Sequence, residues 1–172
     1  VLRSQRAQGR GAVCSHDGNV GVEAAGAGTA RIWDGNPGRR ISVRGGHRAA
    51  VRSASFSPDD SLIATASEDK TVRIWNPRTS ATLVVLRGHE QPVSSVAFSP
   101  DGSQVVSASY DNTARIWGTR SGRLVTVLRH QIYVSSATFS PDGAAILTAS
   151  GDGTAELWDV RRGKPGTVVV DG

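Results

Sequence analysis

A single cysteine, Cys14, is present in the 172 residues, which excludes an internal disulfide and any cysteine-based zinc site. Methionine is absent altogether, an initiator included, so the natural start of the gene product is expected to lie outside these residues. No apolar run approaches the ~18 residues that a membrane-crossing helix needs, and none is expected. No charged-then-apolar N-terminal segment reads as a signal peptide, and the expected location is cytoplasmic. A phosphate loop of the Gly-x-x-x-x-Gly-Lys type, a His-Glu-x-x-His pair and a calcium-loop pattern are all missing. No cofactor and no metal are therefore expected.

Glycine is plentiful, 20 residues against a usual share of about 7%, and this favours many turns. The net charge is +5, from 20 basic and 15 acidic residues. All the basic residues but Lys70 and Lys164 are arginines, and they are scattered. The close pairs are Arg39-Arg40 and Arg161-Arg162, both beside turn glycines. A nucleic-acid surface usually gathers such charge into a stripe. Dispersed, solvated charge is the better reading.

Compared with itself, the chain shows a repeat. Its four tryptophans, Trp33, Trp75, Trp117 and Trp158, are spaced 42, 42 and 41 residues apart. Each closes a similar phrase: Arg31-Ile32-Trp33-Asp34, Arg73-Ile74-Trp75-Asn76, Arg115-Ile116-Trp117-Gly118 and Glu156-Leu157-Trp158-Asp159. Phe-Ser-Pro-Asp precedes three of them, beginning at Phe56, Phe98 and Phe139. His47, His89 and His130 each stand 28 residues before their tryptophan. Four units of about 42 residues fill the chain, over approximately 1–43, 44–86, 87–128 and 129–172.

Each unit reads as four short strands. In the third, Val93 to Phe98 stops at Ser99-Pro100-Asp101-Gly102, and Ser103 to Ser109 follows. Tyr110-Asp111-Asn112 turns into Thr113 to Trp117, and Leu124 to Leu128 completes the set. Such spacing leaves no room for a helix. Four antiparallel strands per repeat make a propeller blade. Gly26-Ala27-Gly28 is a turn in this register and not a dinucleotide fingerprint.

With Gly46-His47 and Gly88-His89, the turns at Asp69 and Asp111, and the closing Trp-Asp type pairs, the whole chain resembles the WD40 repeat family. The resemblance implies an all-β propeller with four blades of four antiparallel strands, residues 1–172 forming one propeller domain, a half or partial ring. It is nearly silent on function, because such folds host many roles. It also implies a hydrogen-bonded chain of His, strand hydroxyl, turn Asp and Trp inside each blade. The matching sets are His47, Thr65, Asp69 and Trp75; His89, Ser107, Asp111 and Trp117; and His130, Thr148, Asp152 and Trp158. Ser67, Ser109 and Ser150 are alternative strand hydroxyls. A hydrolase triad would need one exposed nucleophile rather than three buried copies, and no catalytic residue is assigned. The first unit is worn, with Gln5, Cys14, Glu23 and Ala27 at the positions of His, Phe, hydroxyl and Asp, and with His16 in place of the proline.

The resemblance places partner binding on the rim at one end of the blades. Carried over residue by residue, the rim positions give Arg10, Arg52, Glu68, Tyr110 and Tyr133 as the residues expected to bind. The expected function is a non-enzymatic scaffold for protein partners. The alternatives are nucleic-acid binding through arginine-bearing rim loops and the regulatory or sensor propeller of a larger signalling protein. Propellers close with ~4–8 blades, and four would each have to turn by about 90°. Val1-Leu2-Arg3 and Thr167–Val170 both match a fourth strand. A dimer that closes an eight-bladed ring, or the remainder of a longer propeller, is therefore expected as the structural partner.

Overall fold

A computed structural model describes residues 46–160 in full and, outside that span, the backbone of 12–14, 20–25, 29–34, 40–42 and 164–166. The strands form four antiparallel sheets, each a four-stranded meander in chain order. The first contains β1 (Ala12–Cys14), β2 (Val20–Ala25), β3 (Thr29–Asp34) and β4 (Arg40–Ser42). The second contains β5 (Val51–Phe56), β6 (Ile63–Ser67), β7 (Val72–Trp75) and β8 (Thr82–Leu86). The third contains β9 (Val93–Phe98), β10 (Gln104–Ser109), β11 (Thr113–Gly118) and β12 (Leu124–Arg129). The fourth contains β13 (Val134–Phe139), β14 (Ala145–Ser150), β15 (Ala155–Asp159) and β16 (Lys164–Gly166). No helix occurs among the described residues, and the sheets do not close into a ring. The fourth strand of the last sheet is seen at Lys164–Gly166, and the expected Thr167–Val170 lies outside the described residues, as do Val1-Leu2-Arg3.

The strands are short because each is stopped by the same turn chemistry. In Ser57-Pro58-Asp59, the Ser57 hydroxyl donates to Asp59 Oδ1 over 2.6 Å and accepts the Leu62 amide over 2.9 Å. Ser99 repeats both bonds with Asp101 and Gln104. The turn then needs a left-handed residue, supplied by Gly102 (φ 69°) and Gly143 (φ 70°), and by Asp60 (φ 54°) in the second sheet.

The core lies between sheets. Ala64, Ala66, Val72, Ile74 and Leu86 of the second sheet pack against Val93, Val96, Phe98, Val105 and Trp117 of the third. In the same register, Val106, Ala108, Ala114, Ile116 and Leu128 pack against Val134, Ala137, Phe139, Ile146 and Trp158. Each inner sheet is thus apolar on both faces, and each fully buried aliphatic side chain contributes roughly 1.5–3 kcal/mol.

Candidate functional site

A β-bulge lies in the first strand of each of the second, third and fourth sheets. Pairing along β5 and β6 passes from Val51↔Ser67 to Ser53↔Ala66, leaving Arg52 as the extra residue. Ser94 and Ser135 are the extra residues of the third and fourth sheets. A bulge redirects a side chain and increases the local twist; of the described residues expected on the rim, Arg52 is the one at such a position, while Glu68 and Tyr110 lie in turns and Tyr133 immediately precedes its strand. Nothing in the residue types signals the bulge.

The adjoining turns are tied to the bulged strands by backbone bonds, Glu68 N–H to Ala50 O at 2.9 Å, Tyr110 N–H to Pro92 O at 3.0 Å and Gly151 N–H to Tyr133 O at 3.0 Å. Arg52 Nη2 meets Glu68 Oε1 at 2.6 Å. Tyr110 and Tyr133 come from neighbouring sheets, and their rings lie 5.2 Å apart at 49°. They remain 39% and 40% exposed, and Ile132, which the sequence reading did not single out, is exposed beside them. Tyr133 lies across Gly151, where any Cβ would overlap the ring. Two pairs of the five rim residues are therefore assembled, and Arg10 lies outside the described residues.

Beneath the rim, polar chains hold the blades together. In the second sheet Trp75 Nε1–H donates to Thr65 Oγ1 (2.8 Å), which lies 2.8 Å from His47 Nε2. His47 Nδ1 in turn lies 2.9 Å from Asp69 Oδ2. These partners fix the tautomer: Thr65 donates to Nε2, and Nδ1–H donates to the carboxylate. Burial pushes the His47 imidazole down, so the bond joins a neutral ring to a carboxylate. Burial would raise the Asp69 carboxyl. The Thr71 hydroxyl, the Arg48 amide and His47 outweigh it and hold the group at about 2. In the third sheet the same chain runs from Trp117 through Ser107 (2.8 Å) and His89 (2.8 Å) to Asp111 (2.7 Å). The Asp111 carboxyl is likewise lowered against its burial by His89, Thr113 and the Glu90 amide.

The fourth sheet departs from the expected set. Trp158 Nε1–H donates to Thr148 Oγ1 at 2.9 Å, but the Thr148 hydroxyl donates to the Glu156 carbonyl (3.2 Å) and not to His130. His130 Nε2 is buried without a partner, and Nδ1 lies 3.6 Å from Glu156 Oε1. Asp152 instead accepts the Thr154 hydroxyl and amide. The four-residue chain of His130, Thr148, Asp152 and Trp158 is therefore corrected to a single Trp158–Thr148 bond. Two substitutions visible in the sequence accompany this. Arg129 stands where Gly46 and Gly88 precede the histidine, and Glu156 stands where Arg73 and Arg115 lie. Gly88, at φ 148°, lets the Arg115 guanidinium and the Trp117 indole close over it, and a Cβ there would come within 2.8 Å of Arg115 Nη1.

Ser67, Ser109 and Ser150 do not replace the strand hydroxyls. Their side chains donate to Ala49 O (3.0 Å), Pro92 O (3.0 Å) and Tyr133 O (3.2 Å), bracing the rim loops. Thr71 and Thr113, two residues beyond the turn aspartates, were missed although their fixed spacing was a signal. The side chains of the worn first unit, Cys14, Glu23 and Trp33 among them, lie outside the described residues. Among the described residues, no group of three metal-ligating side chains converges, and no helix is long and apolar enough to cross a membrane.

Among curated proteins none matches the chain. Residues 38–76, 80–118 and 122–159 each match the WD domain, G-beta repeat family. Together these matches span most of the sequence and run through the polar chains and rim turns just described, so the protein belongs to the WD40 repeat family.

Proposed function

We propose that the chain is a non-enzymatic platform that binds protein partners through the rim carrying Arg52, Glu68, Tyr110 and Tyr133. WD40 repeats generally mediate protein–protein interactions and are generally non-catalytic. The observation that carries the finer reading is the Tyr110–Tyr133 contact, two exposed aromatic rings from neighbouring sheets 5.2 Å apart, with Tyr133 lying across Gly151. Tyrosine and arginine concentrate binding energy at protein interfaces, and a rigid aromatic pair loses little entropy on contact. Arg10 holds the register position of Arg52 in the first repeat and belongs to the same proposed surface. On this reading residues 1–172 act as one propeller unit of four repeats. Nucleic-acid binding is the weaker reading, since Arg52 is paired with Glu68, and Arg115 lies 3.5 Å from Asp111.

The test is capture of partners from native extract by the immobilised chain, repeated with Tyr110→Ala/Tyr133→Ala and with Asp101→Ala in the turn at the opposite end of the strands. A protein held by the parent and by Asp101→Ala, but weakened by about 30-fold or more in the double variant, supports the proposal. Retention by the double variant overturns it.

A further inference from the structure

Arginine is spread along the sequence, but the second sheet gathers three of them. Arg73 on β7 has its Cζ 5.8 Å from the centroid of the Trp75 ring. Its Nη1 reaches to 3.0 Å from where a Cβ on Gly46 would stand, so packing holds the guanidinium in place. Arg48 lies two residues beyond Gly46, and its amide donates to Asp69 Oδ2 at 2.9 Å. Arg87 follows Leu86, which pairs with Val72 beside Arg73. Arg48 and Arg87 are exposed, and Arg73 is half-buried.

No described residue neutralises them. Arg73 Nε is buried without a hydrogen-bond partner, and neither Arg48 nor Arg87 makes a side-chain ion pair or hydrogen bond with a described residue. The nearby carboxylate, Asp69, is already engaged. Its Oδ2 accepts His47 Nδ1–H and the Arg48 amide, and its Oδ1 accepts the Thr71 hydroxyl and amide. Glu68 is held by Arg52. Burial lowers the Arg73 guanidinium; Asp69 opposes this, and Arg87 and Arg48 add to it. The three cations therefore act on one another.

The third sheet carries the balanced version of the same positions. Arg115 donates Nε–H to Thr113 Oγ1 at 3.2 Å and places Nη2 3.5 Å from Asp111 Oδ2. Glu90 stands at the position of Arg48, so Arg115 and Arg129 are matched by Glu90 and Asp111. In the fourth sheet Gln131 and Glu156 hold the positions of Arg48 and Arg73. The excess belongs to the second sheet, where three guanidiniums meet one carboxylate.

We propose that Arg48, Arg73 and Arg87 form a binding site for a phosphate monoester carried on a protein partner. Charge selects the ligand. A monoester brings about −1.5 to −2 at neutral pH and three acceptor oxygens, which matches the two uncompensated positive charges, whereas a carboxylate or a phosphodiester brings a single negative charge. Guanidinium forks suit such oxygens in geometry as well as charge. That a protein carries the phosphate rests on the platform reading above; the anion site itself rests on the arginines.

Titration of the 172-residue chain with N-acetyl-O-phosphoserine amide, followed by the proton–nitrogen signals of the arginine Nε–H groups, tests the site. The Arg73 signal is expected to move and saturate, with N-acetylaspartate amide binding about 10-fold more weakly or worse. Arg48→Glu copies the third sheet at an exposed position and keeps the amide bond to Asp69. It is expected to weaken binding about 10-fold or more at an unchanged thermal midpoint, and Arg87→Gln is expected to do the same. An unmoved Arg73 signal, equal binding of the two amides, or an Arg48→Glu variant that binds like the parent would each overturn the site. Capture from native extract, with and without phosphatase treatment, tests the carrier. Proteins held by the parent and not by Arg48→Glu are expected to be lost after dephosphorylation. If there are none, if they survive dephosphorylation, or if vesicles of phosphatidylcholine and phosphatidic acid hold the parent in an Arg48-dependent way, the protein carrier is overturned. Tyr110→Ala/Tyr133→Ala is expected to leave the phosphoserine titration unchanged, so a failure of the rim reading shows separately.

Discussion

His130 Nδ1 lies 3.6 Å from Glu156 Oε1, whereas His47 and His89 each place the same nitrogen within 2.9 Å of a turn aspartate. The fourth sheet therefore carries a buried imidazole with an unpartnered Nε2, and the second and third sheets do not. Removing a fully bonded buried group leaves two partners unsatisfied, while removing a poorly bonded one leaves few. His89→Phe is expected to cost about 1–3 kcal/mol more than His130→Phe. Urea unfolding of the two variants checks this, and equal losses would show that the His89 chain carries no special weight.

Trp117 is 2% exposed, packs in the junction between the second and third sheets, and donates its indole N–H to Ser107. Trp117→Ala is expected to cost about 3–5 kcal/mol, since a large cavity opens and the serine loses its donor. Chemical denaturation measures the loss directly.

Stability should depend on pH in two steps of the same sign. Burial lowers the His47 and His130 imidazoles, so the folded state prefers them neutral. That stability is full above the unfolded value of 6.5 and is lost as the pH falls through the lowered folded values. Asp69 is held at about 2 against 3.8, and its contribution is present above 3.8 and lost as the pH falls toward 2. The unfolding midpoint should decline below about pH 6.5 and again between about 4 and 2. A midpoint that rises on acidification would contradict the assigned protonation states.

Gly151→Ala should separate the rim from the fold. The added Cβ would overlap the Tyr133 ring and displace it from Tyr110. Because Tyr133 is exposed, the expected stability change is small, within about 1 kcal/mol. The near-ultraviolet circular dichroism of the tyrosine pair should weaken, and partner capture should fall with it.

Much of this fold is legible in the sequence because a repeat multiplies weak signals. One Phe-Ser-Pro-Asp or one Trp proves little, but a register kept at Trp33, Trp75, Trp117 and Trp158 assigns strands and turns together. The polar chains of His47 and His89 were implied by the WD40 resemblance that this register carries, and they meet the need of an indole and an imidazole buried between strands for partners. The departure at His130 accompanies two local exchanges, Arg129 for glycine and Glu156 for arginine, and turns on where the Thr148 hydroxyl donates, which residue type does not reveal. The bulges at Arg52, Ser94 and Ser135 leave no trace in residue type, being properties of pairing. Ser53 and Ser95, whose hydroxyls meet the Val96 and Ala137 amides of the next sheet, were equally hidden, because a serine in a half-buried strand looks the same whether it faces solvent or a neighbouring amide.

The most direct test of the rim as the binding surface is hydroxyl-radical footprinting of the chain with and without a captured partner. Protection is expected at Tyr110, Ile132 and Tyr133, with the Ser99–Gln104 turn at the opposite end unchanged. Protection of that turn with Tyr110 and Tyr133 left reactive would contradict the account.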